Sequence, residues 1–509
     1  MEHISERIIS YPERRHSVAF EGIIDTLKWV LIALILALIF RAFIMEAFRI
    51  PTGSMAKTLR GAHYHLRCPR CGYKYDVGGD YYSQPEPRCP SCCYYLPPGT
   101  ALSLSNGDRI LVLKSIYQFT DPKRWDVVVF KNPLDPQVNY IKRLIGQPGE
   151  TVEIIDGDIY INGRIAQKPA GVQETLWMPV YNNDFQPFHQ QLESTADSSD
   201  LQQAKDDSWR QPFRNTQNSS WDLNAYGPTV FGLDSEPDQV NTIVYDVSIG
   251  NGFSATYGYN DSSEYRFRPV CSDLMVRFYV WPGSSGRRQG AANNRRGLIG
   301  AGLKKYETLY HGWVDFSGKM AIEKVVDGHR ILLEHREIEP AVPAGPIWFK
   351  FACVDHQLIL EFGAERMKHY LGPGPDDAGT REEGSEPAVK IFGAGRLELR
   401  HISIYRDIHY ISDGILRARQ GDGFRVDKDE FFVCGDNSPY SLDCRVWATE
   451  GIGNNGVKYR VGIVPRDYMV GKAVLVYWGD AFRPFENILP IIPNIGQIRA
   501  IVGGSDKGS

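Results

Sequence analysis

One stretch limits every fold open to this chain. From Leu27 to Ile44 the sequence is almost entirely apolar, with an unbroken core from Trp29 to Phe40. It shows no polar face, so it does not read as the amphipathic helix of a soluble core. The core falls short of the roughly 20 residues that a spanning helix wants. Lys28 and Arg41 lie near its ends, where long side chains snorkel, and Ala42 to Met45 extends the apolar surface. A cleavable secretory signal has a core of this length, but no small-x-small site follows. Residues 27–46 therefore read as a retained transmembrane anchor behind a polar segment, 1–26. Arg7, Arg14, Arg15 and Lys28 precede the run while Arg49, Lys57 and Arg60 follow it, so positive charge barely decides the orientation.

Just past the anchor comes Phe48-Arg49-Ile50-Pro51-Thr52-Gly53-Ser54-Met55, a serine on a glycine-containing turn. On its own this is a solvated turn serine. Two later segments change its weight: Tyr140-Ile141-Lys142-Arg143-Leu144-Ile145-Gly146, and the run from Gly435 to Arg445 with Asp436, Asn437, Ser441 and Asp443. Together the three supply a nucleophile, a lysine base and a polar loop to orient them. A lysine in a strand is usually an exposed edge charge. Lys142 and Arg143 are adjacent, however, so they point to opposite faces and one of them faces the packed side. A lysine in apolar surroundings loses hydration, which makes its neutral amine accessible near neutral pH. Taken alone, the third segment reads as an Asp/Asn-rich turn with a surface Asp443–Arg445 pair.

Nine cysteines in 509 residues do not make a disulfide scaffold. Four of them form two C-x-x-C knuckles, Cys68/Cys71 and Cys89/Cys92, seventeen residues apart. That spacing suits a four-thiolate zinc ribbon over 68–93; a pair of disulfides is the alternative. A filled four-thiolate site has no open position for water, so the metal is structural and catalysis needs no cofactor. A formal charge of −4 gives no polybasic signature, and nucleic acid is not an expected partner.

Short strands with β-branched residues and turn signals recur from Gly107 onward: Asp108 to Lys114, Trp125 to Phe130, Tyr140 to Ile145, Thr151 to Ile155 and Ile159 to Ile161. A second set lies in 168–406, including Asn241 to Val247, Leu274 to Val280, Lys319 to Val325, His329 to Glu334, Trp348 to Val354, Gln357 to Phe362 and Arg396 to Tyr405. With almost no helical periodicity there, a β-sandwich is expected. Gly283 to Gly302 and Gly372 to Pro387 read as loops. The end of the second set resembles the last strand of laminin-G/concanavalin-like jelly rolls, which implies a binding or spacer module with a glycan or peptide ligand.

In order behind an anchor, Ile50 to Met55, Gly107-Asp108 with Asp126 to Phe130, Lys142 to Glu150 and Gly435 to Arg445 resemble the type I signal peptidases. Val464-Pro465 with Met469 to Ala473 looks like that family's closing strand. The resemblance implies a membrane-bound Ser–Lys endopeptidase that removes signal peptides from preproteins after small residues. By that resemblance Ser54 is the nucleophile and Lys142 its base. Thr52 joins the Ser54 N–H in binding the oxyanion, Ser441 holds the lysine amine, Asp443 and Arg445 support the site, and Met55 lies on the substrate side. The N-terminus is then cytoplasmic, with a single pass through the cytoplasmic (inner) membrane and an extracytoplasmic catalytic domain. Lys57 in place of a proline, Glu150 in place of an aspartate and Cys444 in place of a serine depart from the pattern without removing a proton-transfer group.

The expected fold class is mainly β: an N-terminal transmembrane helix, a signal-peptidase-type β-fold in 47–167 and 407–485, and an inserted jelly-roll-like β-sandwich in 168–406. Residues 486–509 are expected to form a tail. A degenerate peptidase core serving as a membrane-anchored receptor through its sandwich is the competing reading. A self-cleaving repressor-type regulator is a third, opposed by the anchor and by the lack of a DNA-binding segment.

Overall fold

The computed structural model describes residues 16–79, 87–96, 100, 104–187, 209–225, 227–254, 259–260, 269–283, 297–340, 345–381, 385–453, 456–479, 481–482, 492–493 and 495–504. The chain is mainly β, as its alternating patterns imply, and one apolar helix precedes the strands.

That helix runs His16–Ile39 and passes through a π turn, Phe40–Ile44. The apolar part, Gly22–Ile44, has 23 residues and none of it is buried against protein. At helical rise it reaches roughly 35 Å, enough to cross a bilayer core. The helix starts well before residue 27, where a polar segment was expected. Thr26 Oγ1 donates to the Gly22 carbonyl at 2.8 Å, and Lys28 pairs with Asp25 at 2.9 Å one turn earlier. Helical backbone ends at Ile44. Met45–Arg49 is already a strand, registered antiparallel on Arg109–Leu113.

An eight-stranded antiparallel sheet follows the anchor. Met45–Arg49 lies at one edge, then Arg109–Leu113, Met469–Trp478, Val127–Asn132, Asp135–Gly146, Glu430–Cys434 and Val464–Pro465. The run Val127 to Phe130 is buried residue by residue, so both faces of this sheet are covered. One face packs Ile50, Met55, Leu59, Val127, Val129 and Val476. The other packs Val128, Phe130, Leu144 and Phe432 against Val152, Ile154 and the helix Ala170–Leu176. The expected tail partly belongs to this sheet: Arg499–Ala500 pairs with Met469–Trp478, and Ile501 is buried.

The described strands between Met178 and Arg406 form two seven-stranded antiparallel sheets packed face to face. Leu274–Pro282 and Arg396–Arg406 lie side by side within one sheet, and Leu298–Lys305 and Ala388–Ala394 within the other. Between them lie Phe278, Phe349, Phe351, Leu399, Ile391 and Leu303, with the rings of Phe278 and Phe349 stacked at 4.6 Å. Residues 298–302, expected in a loop, are strand.

A buried ionic network joins the sandwich to the strand Asp158–Ile161 of a separate four-stranded sheet. Asp158, Asp273, Asp355 and Asp407 converge within 4.8 Å. Lys168 pairs with Asp355 and, at 2.8 Å, with Asp407; Lys305 pairs with Asp273 and, at 3.4 Å, with Asp158. Four carboxylates exceed two ammonium groups. Burial and the neighbouring anions accordingly push the Asp158 carboxyl well up and raise Asp407 to about 6.

Candidate active site

Ser54 sits in a single 3-10 turn, Gly53–Met55, entered by an extended Thr52. Strand Asp135–Gly146 brings Lys142 up to it. Lys142 Nζ lies 2.7 Å from Ser54 Oγ and donates to the Ile141 carbonyl at 3.1 Å. Both residues are buried, at 4% and 8% exposure. Burial lowers the Lys142 amine to about 8, with the Asp443 carboxylate opposing that fall and the Arg445 guanidinium adding to it. The Tyr140 ring lies 5.3 Å from Nζ. A buried amine within hydrogen-bond reach of a hydroxyl accepts that hydroxyl's proton once the amine is neutral.

The loop after Glu430–Cys434 closes the other side. Gly435 N–H donates to Asp443 Oδ2 at 2.9 Å. Arg445 grips Asp443 with two charge-assisted bonds of 2.9 and 2.8 Å, and its remaining donors reach Ser438 and the Ile411 carbonyl. Burial raises the Asp443 carboxyl, but the Arg445 guanidinium and its hydrogen bonds outweigh that and hold it below its ordinary value. This pair is buried, not the surface turn pair of the bland reading.

Ser441 is buried beside the dyad, yet Lys142 spends its hydrogen bonds on Ser54 and Ile141. Thr52 is exposed at the mouth of the turn. Met55, expected on the substrate side, has no exposed surface; it packs into the core beneath the turn, and its Sδ accepts the Asp436 N–H at 3.4 Å. Glu150, one of the departures, chelates Arg124 at 2.6 and 3.0 Å and caps the Gln147 N–H at 2.7 Å.

Sequence reasoning missed a second buried pair. Arg143 Nε and Nη2 donate to the two Asp436 oxygens at 2.7 Å each, both side chains fully buried, and Thr58 Oγ1 donates to Asp436 Oδ2 at 2.5 Å. Alternation sends Lys142 and Arg143 to opposite faces, and here both faces are covered. The double-sided burial of Val127 to Phe130 was the available signal. Asn437 was missed too: its N–H donates to the Ser54 carbonyl and its Nδ2 to the Gly53 carbonyl, each at 3.0 Å.

The four cysteines gather within 4.8 Å of one another. Cys68 and Cys92 sulfurs are 3.6 Å apart, as are those of Cys71 and Cys89. Tetrahedral thiolates at roughly 2.3 Å from one ion are separated by about 3.8 Å, whereas a disulfide is about 2.05 Å long. The set fits a single ion, and no described cysteine is in a disulfide. Each knuckle turns through a left-handed residue after its second cysteine, Gly72 at φ 77° and the spare Cys93 at φ 63°. Cys93 and the near histidines serve structure: Cys93 Sγ donates to Asn251 Oδ1, His65 bonds Asp76, and His63 the Gly61 carbonyl.

The family described as signal peptidase, peptidase S26, matches residues 99–208 and 405–478, the segments that hold Lys142 and the Gly435 loop. Signal peptidase I of Rickettsia typhi is 37% identical over 129 residues, 25% of this chain and 39% of that protein, and that of Rickettsia canadensis matches to the same extent. The chain thus spans about two-fifths of the length of these relatives. Solved structures with a similar region include a carbohydrate-binding module of Bacillus subtilis, at 9% identity over 38% of this chain and 95% of that one with TM-score 0.25. Sheep galectin-11 is another, at 11% over 26% and 91% with TM-score 0.19. Over its S26 segments, which hold Lys142 and the Gly435 loop while Ser54 lies before them, the chain is similar to the type I signal peptidases.

Proposed function

We propose that this chain is a membrane-anchored serine endopeptidase that removes signal peptides with Ser54 and Lys142. The observation that carries this reading is the 2.7 Å approach of a buried, low-pKa amine to a serine hydroxyl on a fixed turn. With Lys142 neutral, Ser54 O–H donates to Nζ as Oγ attacks the scissile carbonyl. The tetrahedral oxyanion forms beside the Ser54 N–H and the Thr52 hydroxyl, donors set before the charge develops. The ammonium of Lys142 then returns its proton to the leaving amine, leaving an ester on Ser54. Water attacks that ester, giving its proton to Lys142, and Ser54 is regenerated when the proton comes back to Oγ. Asp443–Arg445 and Arg143–Asp436 position the loop and the strand; they do not exchange protons with substrate.

Substrates in this reading are preproteins cut after small residues, presented at the outer bilayer face by an anchor whose N-terminus stays in the cytoplasm. The cysteine cluster would hold one structural zinc, with no part in the chemistry. Cleavage of a preprotein by the detergent-solubilised chain, beside Ser54→Ala and Lys142→Ala of matched fold, tests the reading. Activity is expected only in the wild type, and activity surviving in either variant refutes the dyad.

A separate observation favours a binding role for the sandwich. On the outer face of one sheet, Arg277 stacks 4.4 Å from the Tyr405 ring and 5.6 Å from Trp348, and Tyr279 contacts both Trp348 and Trp281. Such a ladder of partly open aromatic faces suits a glycan ligand. Retention of the full chain on immobilised polysaccharide, lost in Trp348→Ala, is the expected result; equal retention of both refutes it.

A further inference from the structure

The sandwich segment sends two residues to the serine turn. Tyr259 and Asn260 are 4% and 7% exposed. The Tyr259 carbonyl accepts the Gly78 N–H of the cysteine ribbon at 2.9 Å, and its ring lies so close to Gly53 that a Cβ there would meet Cε1 at 2.4 Å. Asn260 makes a reciprocal amide pair with Asn437, each Nδ2 donating to the other's Oδ1 at 2.7 Å. Asn437 in turn clamps both carbonyls of the turn, Gly53 through Nδ2 and Ser54 through its N–H.

The Gly53 carbonyl and the Ser54 N–H belong to one planar peptide unit and point in opposite directions. Whatever fixes that carbonyl aims that N–H. The atom of Asn437 facing the Gly53 carbonyl must be nitrogen, because oxygen against oxygen repels. Its oxygen then faces Asn260, and only a donor there holds the amide the right way round. Without Asn260 the Asn437 oxygen is a buried acceptor with its donor removed, and nothing then pins the amide against the Gly53 carbonyl.

We propose that Asn260 is a positioning residue for the oxyanion donor: by locking the Asn437 amide it aims the Ser54 N–H. A residue of the insertion thereby sets the turnover of the peptidase core that the insertion interrupts. This rests on the Ser54–Lys142 reading above.

The test measures kcat and KM of the full detergent-solubilised chain on a signal-peptide substrate, for wild type, Ser54→Ala, Asn260→Ala, Asn437→Ala and the double Asn260→Ala/Asn437→Ala. Asn260→Ala is expected to lower kcat roughly 10- to 100-fold, the scale of a slightly misplaced catalytic group, with KM changed less than about twofold. The acid limb of the pH profile stays where it is, since the Lys142 surroundings are untouched. The double variant is expected to be no slower than Asn437→Ala alone, because the two act in series. A folded Asn260→Ala with wild-type kcat overturns the inference, as do losses that multiply in the double variant. If Asn260→Ala melts early, Asn260→Asp keeps the volume and the acceptor but loses the donor, and must show the same kcat loss. An inactive wild type overturns the Ser–Lys reading and this one with it. An active wild type with dead Ser54→Ala and unimpaired Asn260→Ala overturns this one alone.

Discussion

The protonation of Lys142 gives the sharpest prediction. An ordinary lysine has its pKa near 10.5, and burial brings this one to about 8. Only the neutral amine takes a proton, so activity follows the deprotonated fraction and rises with pH. At pH 7 an amine with pKa 8 is neutral in about one molecule in ten, against about one in 3,000 for an unperturbed lysine, a gain of roughly 300-fold. The cause is local: Lys142 is buried, and the Asp443 carboxylate that opposes the fall is already committed to Arg445. The assay is kcat/KM on a quenched-fluorescent signal-peptide substrate in detergent micelles between pH 6 and 10. It is expected to rise tenfold per pH unit at the low end and to level off above about 8. Asp443→Asn removes the anion that opposes the fall and leaves Arg445, so its limb moves to lower pH, provided melting shows it folded. Lys142→Arg cannot deprotonate and is expected to be inactive. A profile flat from pH 6 to 9, or one still climbing beyond pH 9.5, would refute the buried-base argument.

Other outcomes follow from single contacts. Gly435→Ala puts a Cβ 2.2 Å from Ser441 Oγ and 2.5 Å from the Ser54 carbonyl; the turn must shift, so kcat should drop about 100-fold and overpacking should cost about 1–3 kcal/mol of stability, read by thermal melting. Asp436→Asn leaves the Arg143 guanidinium buried without its carboxylate, at a cost of about 3–5 kcal/mol, measurable by urea titration; an unchanged midpoint would remove the pair from the account. Unfolding in guanidinium without reductant should expose nine titratable thiols and release about one zinc per chain, read with a chromogenic chelator. Fewer thiols and no zinc would restore the disulfide alternative.

Much of this was legible in the sequence because it depended on local order. Apolar run length, period-two alternation and C-x-x-C spacing each constrain neighbouring residues, and they marked the helix, most sandwich strands and the cysteine cluster. What escaped depended on distant partners. Arg143 finds Asp436 293 residues away, and nothing near either residue announces the pairing. Arg499 looked like part of a tail, yet it donates to the buried Asp108 at 2.6 Å while Ile501 fills the core beside it. Leu298–Lys305 holds Gly300 and Gly302, and its part up to Gly302 reads as loop, but the strands on either side, Ala388–Ala394 and Thr308–Asp315, supply the ladder that its composition does not advertise. The burial of Met55 was equally hidden, because adjacency to Ser54 says nothing about which neighbours enclose a side chain. Asn260 lies in a polar stretch with no motif at all, and only the folded chain brings it to Asn437.

The same long separations bear on when the site forms. The turn is held by Asn437, 384 residues from Gly53, and Asn437 by Asn260, 177 residues away. Closing such loops costs entropy that no local contact offsets, so these bonds form after the sheets that carry their ends. The ribbon adds a further requirement. Asn251 ties its second knuckle to the sandwich, donating to the Pro90 and Val180 carbonyls at 2.8 and 3.0 Å, and the Gly78–Tyr259 bond joins its strands to the dipeptide that seats on Gly53. Sheet, ribbon and sandwich must therefore all be in place before Ser54 is clamped. A chain that folds in this order keeps its serine turn loose until the last part docks, and a loose turn cannot aim the Ser54 N–H.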